Sequence, residues 1–379
     1  MRINEPTASE SLTRRHIPEL DGIRGCAVVM VLIWHYVNCQ GAGSVHSAAA
    51  YFTRATSLFW SGVDLFFVLS GFLIGGILLD YGQRSGFYRT FYVRRAVRIL
   101  PVYCFTLSCF FVFRSVVDPQ RFRWLFDDAI PDITYLTFTQ NVAMGLRGTF
   151  GGHFLGITWS LAVEEQFYLG LPLMLLVVGI IRFKQAIVLL TVTAPFLRLA
   201  IPGFTSWINT PFRMDSLLIG VILAAMFRSD RVVTILKDNR RTLWALFAVL
   251  LFGMGMMTLR SVGRSFLDPT AIAVFYAVFI ALALLHQGER VTAMLRSALF
   301  TRLGVYSYGL YMYHQMVAGL MHGYFLGESP QLVTTHGQIA TFASLIVTLG
   351  LSIISHHTFE AYFINLGKRF RYDSHLSKR

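Results

Sequence analysis

Two basic side chains near the N-terminus stand eleven residues apart, and their types suit the transfer of a group to a hydroxyl. Arg24 and His35 lie in an apolar stretch with no other charged residue between them. On a helix, eleven steps of about 100° return to nearly the same face, about 16 Å further along the axis. The guanidinium suits the anionic head of a long ligand, and the imidazole suits a general base at the other end. A histidine hydrogen-bonded to a neighbouring helix would leave the same pattern, so both interpretations stay open.

A second basic cluster lies at Arg94, Arg95 and Arg98. Arg95 and Arg98 are three residues apart, so they share one face of a helix and can bind phosphate groups together. A positively charged anchor at the cytoplasmic face of a membrane is the alternative interpretation. Two features favour phosphate binding: the cluster contains only arginine, which makes bidentate phosphate contacts, and Pro101 favours a kink just after it.

Carboxylates also fall inside apolar stretches, where an uncompensated charge is costly and therefore marks a functional candidate. We expect Asp64 or Glu164 to orient the imidazole of His35. Glu164 and Glu165 also open a helix, where acidic side chains suit the helix dipole, with Ser160 as the candidate N-cap. As neighbours on a helix they point about 100° apart, so at most one of them faces a given cavity.

Two other groups of polar side chains favour structural roles. Arg213 and Asp215 carry opposite charges within one apolar stretch, and we interpret them mainly as structural pairing with other helices. His356, His357 and Glu360 have a spacing that resembles metal ligands. No further ligand is in view from the sequence, so we expect no metal site.

The elements that must hold these side chains are membrane helices. The chain has 379 residues, of which 55% are hydrophobic and 14% charged, whereas a soluble globular protein has about 25% charged residues. This composition excludes a soluble enzyme, a disordered scaffold and a secreted domain held by disulfides. A transmembrane helix needs about 20 mostly apolar residues, and this criterion predicts an all-α membrane protein with about ten transmembrane helices. The ten windows are 22–40, 58–79, 96–117, 159–181, 186–201, 209–228, 242–260, 267–286, 303–326 and 337–360.

The distribution of positive charge predicts the orientation of these helices. The net charge of +13 does not indicate a nucleic-acid partner, because the basic residues lie between the apolar stretches. Most of the 33 Lys and Arg residues fall in alternate connections, which predicts that both termini are cytoplasmic. We therefore divide the chain into a cytoplasmic N-terminal segment (1–19), a transmembrane domain (20–362) and a cytoplasmic basic tail (363–379).

Six motifs, in order, resemble those of one known family. The chain is similar to the acyltransferase 3 family of multi-pass membrane acyltransferases over nearly its whole length. Each motif is weak by itself, whereas six in the expected order on the expected spans are specific. The motifs are residues 18–25 with Arg24 and His35 separated by ten residues, then residues 62–74, 95–101, 159–168, 213–217 and 306–314.

The resemblance implies a reaction and roles for several residues. The reaction would be O-acyl transfer, usually of acetyl, with cytoplasmic acyl-CoA as a donor substrate rather than a permanently bound cofactor. His35 corresponds to the catalytic base, and Arg24, Arg95 and Arg98 correspond to donor-binding or essential basic positions.

Two late positions complete the expected substrate-binding residues. His314 closes the family's late-span pattern, and Glu360 corresponds to a late acidic position. Tyr362 stands where the family often has proline. The loop 118–157, with Phe122, Trp124, Phe126 and His153, is expected to face the acceptor, although an aromatic belt at the membrane interface explains these side chains equally well.

The expected partners are acyl-CoA, the lipid bilayer and an acceptor that is either a carbohydrate or a small hydroxyl compound such as a macrolide. The expected location is the bacterial cytoplasmic membrane, and the sequence gives no oligomeric state. A proton-coupled small-molecule transporter would use His35 and the carboxylates as a relay. A non-catalytic membrane assembly factor would not need Arg24 and His35 to be aligned.

Overall fold

The computed structural model describes residues 16–40, 48–259 and 265–372. Within these ranges every regular element is a helix and none is a strand, and eight helical segments are long and apolar enough to cross a membrane. The predicted all-α membrane fold is therefore confirmed. Most of the predicted N-terminal segment (1–15) and the end of the predicted basic tail (373–379) lie outside the described residues.

The described part of the chain forms α-helices with a few shorter turns of other helix types. Two π-helical turns cover Trp34–Asn38 and His356–Glu360, and two 3-10 turns cover Phe59–Ser61 and Arg290–Thr292. The first nine α-helices are α1 (Pro18–Ile33), α2 (Ala48–Ala55), α3 (Gly62–Tyr81), α4 (Phe87–Val116), α5 (Arg123–Phe126), α6 (Asp132–Leu136), α7 (Gln140–Arg147), α8 (His153–Gly156) and α9 (Trp159–Ala200). The others are α10 (Thr205–Ile208), α11 (Thr210–Met226), α12 (Asp230–Asp238), α13 (Arg240–Thr258), α14 (Asp268–Leu285), α15 (Ala298–Leu326), α16 (Thr335–Ser355) and α17 (Ala361–Lys368).

Each of the ten apolar windows falls on a long helix. The windows 159–181 and 186–201 share α9, which bends at Gly179, where φ is 72° and ψ is 168°. The window 303–326 falls on α15, a helix of 29 residues that is not among the eight candidate spans. The count of ten spans and the cytoplasmic position of both termini stay predictions.

The chain divides into two compact units. Unit 1 lies within residues 1–29, 60–80 and 167–305, and unit 2 lies within residues 30–59, 81–166 and 306–379. Helices α1, α9 and α15 each contribute one part to each unit.

Unit 1 depends on a close approach between α3 and α11. Helix α3 is apolar on all sides and most of its residues are buried, as expected for a helix surrounded by others. A Cβ atom added at Gly71 would lie 1.8 Å from the Leu217 carbonyl oxygen, and one added at Gly220 would lie 2.1 Å from that of Val68. The two backbones can approach this closely only because both positions are glycine.

Two buried ion pairs stabilise the same unit. Arg213 Nη2 lies 2.5 Å from Asp64 Oδ1, and Arg198 Nη2 lies 2.7 Å from Asp215 Oδ2. All four side chains are at most 3% exposed. The predicted structural pairing of Arg213 and Asp215 with other helices is therefore confirmed.

Unit 2 contains nearly all of the predicted site residues. It is built from the end of α1, the helices α2 and α4 to α8, the start of α9, most of α15, and α16 and α17. Helix α4 continues for fifteen residues beyond Pro101. The segment 132–145, which is too short to span a membrane, forms the short helix α6 and most of α7.

Candidate active site

His35 lies in the π-helical turn that follows α1. In this turn the Cys39 amide donates to the Trp34 carbonyl, five residues earlier, at 3.0 Å. The Nδ1 atom of the half-buried His35 lies 2.9 Å from the Val31 carbonyl oxygen. A carbonyl only accepts, so Nδ1 carries the hydrogen and the lone pair of a neutral imidazole is at Nε2. The Nε2 atom is therefore the position where this histidine can accept a proton, in a helix turn of a type frequent at functional sites.

The Val31 carbonyl also corrects one prediction. We expected Asp64 or Glu164 to orient the imidazole of His35, but the Nδ1 atom is bonded to the main chain of its own helix. Asp64 belongs to unit 1 and accepts from Arg213 and Ser216 at 2.5 and 3.1 Å. A backbone carbonyl fixes the tautomer as well as a carboxylate does, without adding a charge.

His314 lies directly against His35. The centroids of the two rings are 4.8 Å apart, and the ring planes are inclined by 54°. His314 is fully buried, and its Nδ1 atom lies 2.6 Å from the Tyr311 carbonyl oxygen. Its Nε2 atom is also buried, and no donor from the described residues reaches it. The structure thus brings a second histidine, with a second acceptor nitrogen, to the predicted base.

A tyrosine beside His35 holds the two helices together. The Tyr36 hydroxyl donates to the His314 carbonyl at 2.9 Å and lies 2.9 Å from the Thr348 hydroxyl on α16. Tyr36 is only 4% exposed. Because it joins the π-helical turn to α15 and α16, the relative position of the two histidine rings is set by buried contacts.

The polar side chains of α15 form a stripe that leads away from the histidine pair. Tyr308, Tyr311 and His314 follow at intervals of three residues, so they lie along one slowly winding face and cover about 9 Å of helix axis. The Tyr308 hydroxyl donates to the Ile99 carbonyl on α4 at 2.9 Å, and the Tyr311 hydroxyl donates to the Ile157 carbonyl at 3.0 Å. This stripe connects the level of the arginine cluster with the level of His35.

The arginines of α4 lie close to acidic side chains at the lower end of the stripe. Arg95 interacts electrostatically with Glu165 on α9, and Arg98 interacts electrostatically with Glu360 in the second π-helical turn. Tyr308 interacts with both of these carboxylates. The Oε1 atom of Glu165 is buried, and no donor from the described segments bonds to it. Two carboxylates thus lie near Tyr308, and each of them interacts with an arginine of α4.

The carboxylate of Glu360 has polar neighbours, and a glycine leaves room for it. Its Oε1 atom accepts from the Ser355 hydroxyl at 3.0 Å, and its Oε2 atom lies 3.8 Å from His356 Nδ1. A Cβ atom at Gly309 would come within 3.3 Å of Glu360 Oε1. Gly309, which has no side chain, therefore leaves room for this buried carboxylate beside α15.

The loop between α4 and α9 contributes aromatic side chains on the histidine side. Trp124 stacks on His153 with centroids 4.2 Å apart and planes inclined by 6°, and His153 is near enough to His35 to interact electrostatically. Phe122 is buried, and Phe126 packs against Phe154. Of the four side chains predicted to face an acceptor, His153 thus interacts with His35, and Trp124 is stacked on it. Phe122 and Phe126 take part in packing.

The remaining predicted residues have different surroundings. Arg24 belongs to unit 1, where its Nη1 atom lies 3.0 Å from Asp21 Oδ1. Glu164 is half-buried at the start of α9 and interacts electrostatically with Tyr311. Ser160 does not cap α9, which begins one residue earlier, and its hydroxyl instead lies 2.6 Å from that of Tyr311. In the three described segments no three His, Cys, Asp or Glu side chains are arranged to hold a metal ion.

Sequence reasoning missed several residues of this arrangement. Tyr308 and Tyr311 were not singled out, although their spacing of three and six residues before His314 places all three on one helix face. Tyr36 gives no such signal, because its partners are about 300 residues away in the sequence. For Glu164 and Glu165, the sequence does not show which of the two faces Arg95.

Comparisons with known proteins identify the family of the chain. The sequence model of the acyltransferase 3 family, described as an acyltransferase domain, matches residues 17–357. O-acetyltransferase OatA of Staphylococcus aureus strain NCTC 8325 / PS 47 is 28% identical over 349 residues, which cover 84% of this chain and 53% of the relative. OatA of strains COL and MRSA252 matches to the same extent. The chain spans about half the length of the curated relatives that it matches. No solved structure matches the chain.

The matched region contains the histidine pair, the arginine cluster and the start of α9, and it ends three residues before Glu360. It also contains most of the helices that are long and apolar enough to cross a membrane. The chain therefore belongs to the acyltransferase 3 family of membrane acyltransferases.

Proposed function

We propose that this protein is an O-acetyltransferase of the bacterial cytoplasmic membrane. The donor is acetyl-CoA bound from the cytoplasm, and the acceptor is a hydroxyl of a carbohydrate or of another compound at the membrane or its outer face. The observation that carries the proposal is the stripe on α15. It leads from two arginines to a histidine whose Nε2 atom can accept a proton, within one compact unit.

The arginine end of the stripe suits the donor. The phosphates of CoA need cationic partners with several hydrogen-bond donors, which Arg95 and Arg98 supply from adjacent turns of α4. The pantetheine arm of CoA is long and thin, so it can follow the tyrosines of α15 over the distance of about 9 Å from Tyr308 to His314. The thioester then lies beside the histidine pair.

The histidine end suits the chemistry of hydroxyl acylation. The Nε2 atom of His35 takes the proton from the acceptor hydroxyl while its oxygen attacks the thioester carbon. The carbon–sulfur bond then breaks, and the CoA thiolate takes a proton to leave as the thiol. Because the Val31 carbonyl holds Nδ1, the imidazole does not need to change its tautomer before the reaction.

Thiol release in proteoliposomes tests the proposal. Purified protein is supplied with acetyl-CoA and a bacterial membrane extract as the acceptor, and the free CoA thiol is counted over time. We expect wild-type protein to release thiol and His35→Ala to release none above the protein-free background. His336→Ala, which changes an exposed histidine of α16 in the same unit, is the matched control and should keep wild-type activity. Equal thiol release by His35→Ala and wild-type protein would remove His35 from the reaction.

A further inference from the structure

Both nitrogens that face away from the main chain in the histidine pair are hydrogen-bond acceptors. His35 donates from Nδ1 to the Val31 carbonyl at 2.9 Å, and His314 lies with Nδ1 2.6 Å from the Tyr311 carbonyl. Each carbonyl fixes the hydrogen on Nδ1, so each neutral ring keeps its lone pair at Nε2. Two acceptors cannot bond to each other, so the neutral pair lacks the one proton that would join it.

This arrangement is unfavourable for His314. Its side chain is fully buried, and its Nε2 atom meets no donor from residues 16–40, 48–259 or 265–372. A buried polar atom without a partner destabilises a fold, because it has lost its hydrogen bonds to water and gained none in the protein. Buried contacts nevertheless keep the ring at 4.8 Å from that of His35. An acceptor that is unsatisfied in the resting protein is therefore placed beside the base.

We propose that His314 is a positioning residue which accepts a hydrogen bond from the Nε2–H of His35 once His35 has taken up the acceptor's proton. This inference rests on the proposed O-acetyl transfer and assigns His314 a role in it other than substrate binding. The bond exists only when His35 is an imidazolium. It therefore stabilises the transition state and not the ground state, which is the condition for raising kcat.

The proton count of the step balances. The acceptor hydroxyl loses its proton to Nε2 of His35 as its oxygen bonds to the acetyl carbon, and the new N–H is shared between that oxygen and Nε2 of His314. The carbon–sulfur bond breaks, and its electron pair leaves on the CoA sulfur. The same proton then passes from His35 to that thiolate, so the pair returns to two neutral rings and no other reagent is needed.

Other polar groups near the pair already have partners. Tyr36 donates to the His314 carbonyl, and Tyr311 donates to the Ile157 carbonyl. His153 interacts electrostatically with His35 and stacks on Trp124. Because both tyrosine hydroxyls donate to carbonyls, neither supplies the missing proton to His314.

Two substitutions of His314 distinguish the loss of its hydrogen-bond acceptor from the loss of the volume of its ring. His314→Met is apolar and flexible enough to fill the space, whereas His314→Gln restores a carbonyl oxygen as acceptor. We expect His314→Met to lower kcat about 100-fold, the typical effect of losing one preorganised transition-state contact, with the KM for acetyl-CoA unchanged. We expect the kcat of His314→Gln to be about tenfold higher than that of His314→Met. Both variants should still unfold cooperatively on heating, as a folded protein does.

Three kinetic results would overturn the role. The first is a His314→Met variant with kcat within about threefold of wild type. The second is a change in the KM for acetyl-CoA alone, which would make His314 a binding residue. The third is a folded His314→Gln variant that is as slow as His314→Met.

A second measurement does not depend on activity. The 379-residue chain labelled with ¹⁵N at its 11 histidines is placed in lipid nanodiscs and titrated with acid. A scalar coupling between two histidine nitrogens, lost in both His35→Ala and His314→Met, would demonstrate the shared proton. If no coupling appears anywhere in the titration, the inference is wrong even if the protein releases thiol from acetyl-CoA. If the coupling appears and wild-type protein releases no thiol, the pair stands and the proposed transfer fails.

Discussion

Arg95 and Arg98 each lie near a carboxylate, Glu165 and Glu360 respectively. A phosphate that binds at this position must attract the guanidinium groups more strongly than these carboxylates do. Arginine suits this exchange because its charge persists at all relevant pH values and its five N–H donors can serve a phosphate and a carboxylate at once. At this scale the proposed donor site is a cluster of both charges rather than a simple basic patch.

Replacement of either arginine tests this balance. We expect Arg95→Gln and Arg98→Gln each to raise the KM for acetyl-CoA about tenfold, because a hydrogen bond to a charged group contributes about 1.5–3 kcal/mol, and to change kcat little. Steady-state kinetics of thiol release over a range of acetyl-CoA concentrations gives both constants. Arg89→Gln, at an exposed position of the same helix, is the matched control. If all three variants have the wild-type KM, the two arginines do not bind the donor.

The buried pair of Asp64 and Arg213 makes a prediction about stability. Asp64→Asn would leave the Arg213 charge buried without its counter-ion, so we expect a loss of about 3–5 kcal/mol in the free energy of unfolding. Asp80→Asn removes a partner of Arg228 whose carboxylate is 38% exposed, and it should cost less than about 1 kcal/mol. Unfolding in mixed detergent micelles measures both. Equal losses for the two variants would mean that burial does not make the pair of Asp64 and Arg213 more important for stability than the exposed pair.

At the scale of the helix, Gly71 and Gly220 set the separation of α3 and α11. Either glycine replaced by alanine would place a methyl group about 2 Å from a backbone oxygen of the other helix, so the helices must move apart. We expect Gly71→Ala and Gly220→Ala to lower the free energy of unfolding by about 1–3 kcal/mol each.

Gly253 in α13 supplies the control for these two variants. An added Cβ atom there meets nothing within 4 Å, so Gly253→Ala should be neutral or stabilise the helix by up to about 1 kcal/mol. Thermal unfolding of the three variants decides the matter. A loss at Gly253→Ala as large as at Gly71→Ala would show that close helix approach is not the cause.

The same scale shows how far the sequence predicts the site. Apolar length alone locates the long helices, and spacing by three residues predicts that Arg95 and Arg98 share one face of α4. Spacing rules assume a regular α-helix, however, and His35 lies in a π-helical turn whose bonds run over five residues. The rules also consider only side chains, so they assigned a carboxylate to a position that the Val31 carbonyl occupies. Pairing of Tyr36 with α15 and α16 depends on tertiary structure and has no local signal.

At the scale of the whole molecule, the distribution of Lys and Arg predicts which loops face the cytoplasm. Ser85 lies in the loop before α4, on the predicted cytoplasmic side, and Ser329 lies in the loop before α16, on the predicted outer side. Both residues are exposed. In a background without the native cysteines, a maleimide that cannot cross membranes should label Ser329→Cys in right-side-out vesicles and Ser85→Cys only in inverted vesicles. Labelling of both from the same side would refute the predicted topology.

The orientation matters for the proposed reaction because the proposed donor, acetyl-CoA, is a cytoplasmic compound. In the predicted topology Arg95 and Arg98 lie towards the cytoplasm, and His35 lies towards the outer side of the membrane. The acetyl end of the donor would then lie along the stripe on α15, which leads from the cytoplasmic face into the membrane. An acceptor that arrives from the outer side would meet the thioester beside the histidine pair.

The central claim is that His35 is the base in the transfer of an acetyl group from acetyl-CoA to a hydroxyl. The most direct test follows radiolabelled acetyl from acetyl-CoA into an alkali-labile ester of the acceptor fraction, with wild-type protein and with His35→Ala at equal amounts in proteoliposomes. We predict labelled ester with wild-type protein and none above background with His35→Ala, while both proteins bind acetyl-CoA with similar affinity. Labelled ester formed at the wild-type rate by His35→Ala would contradict the account.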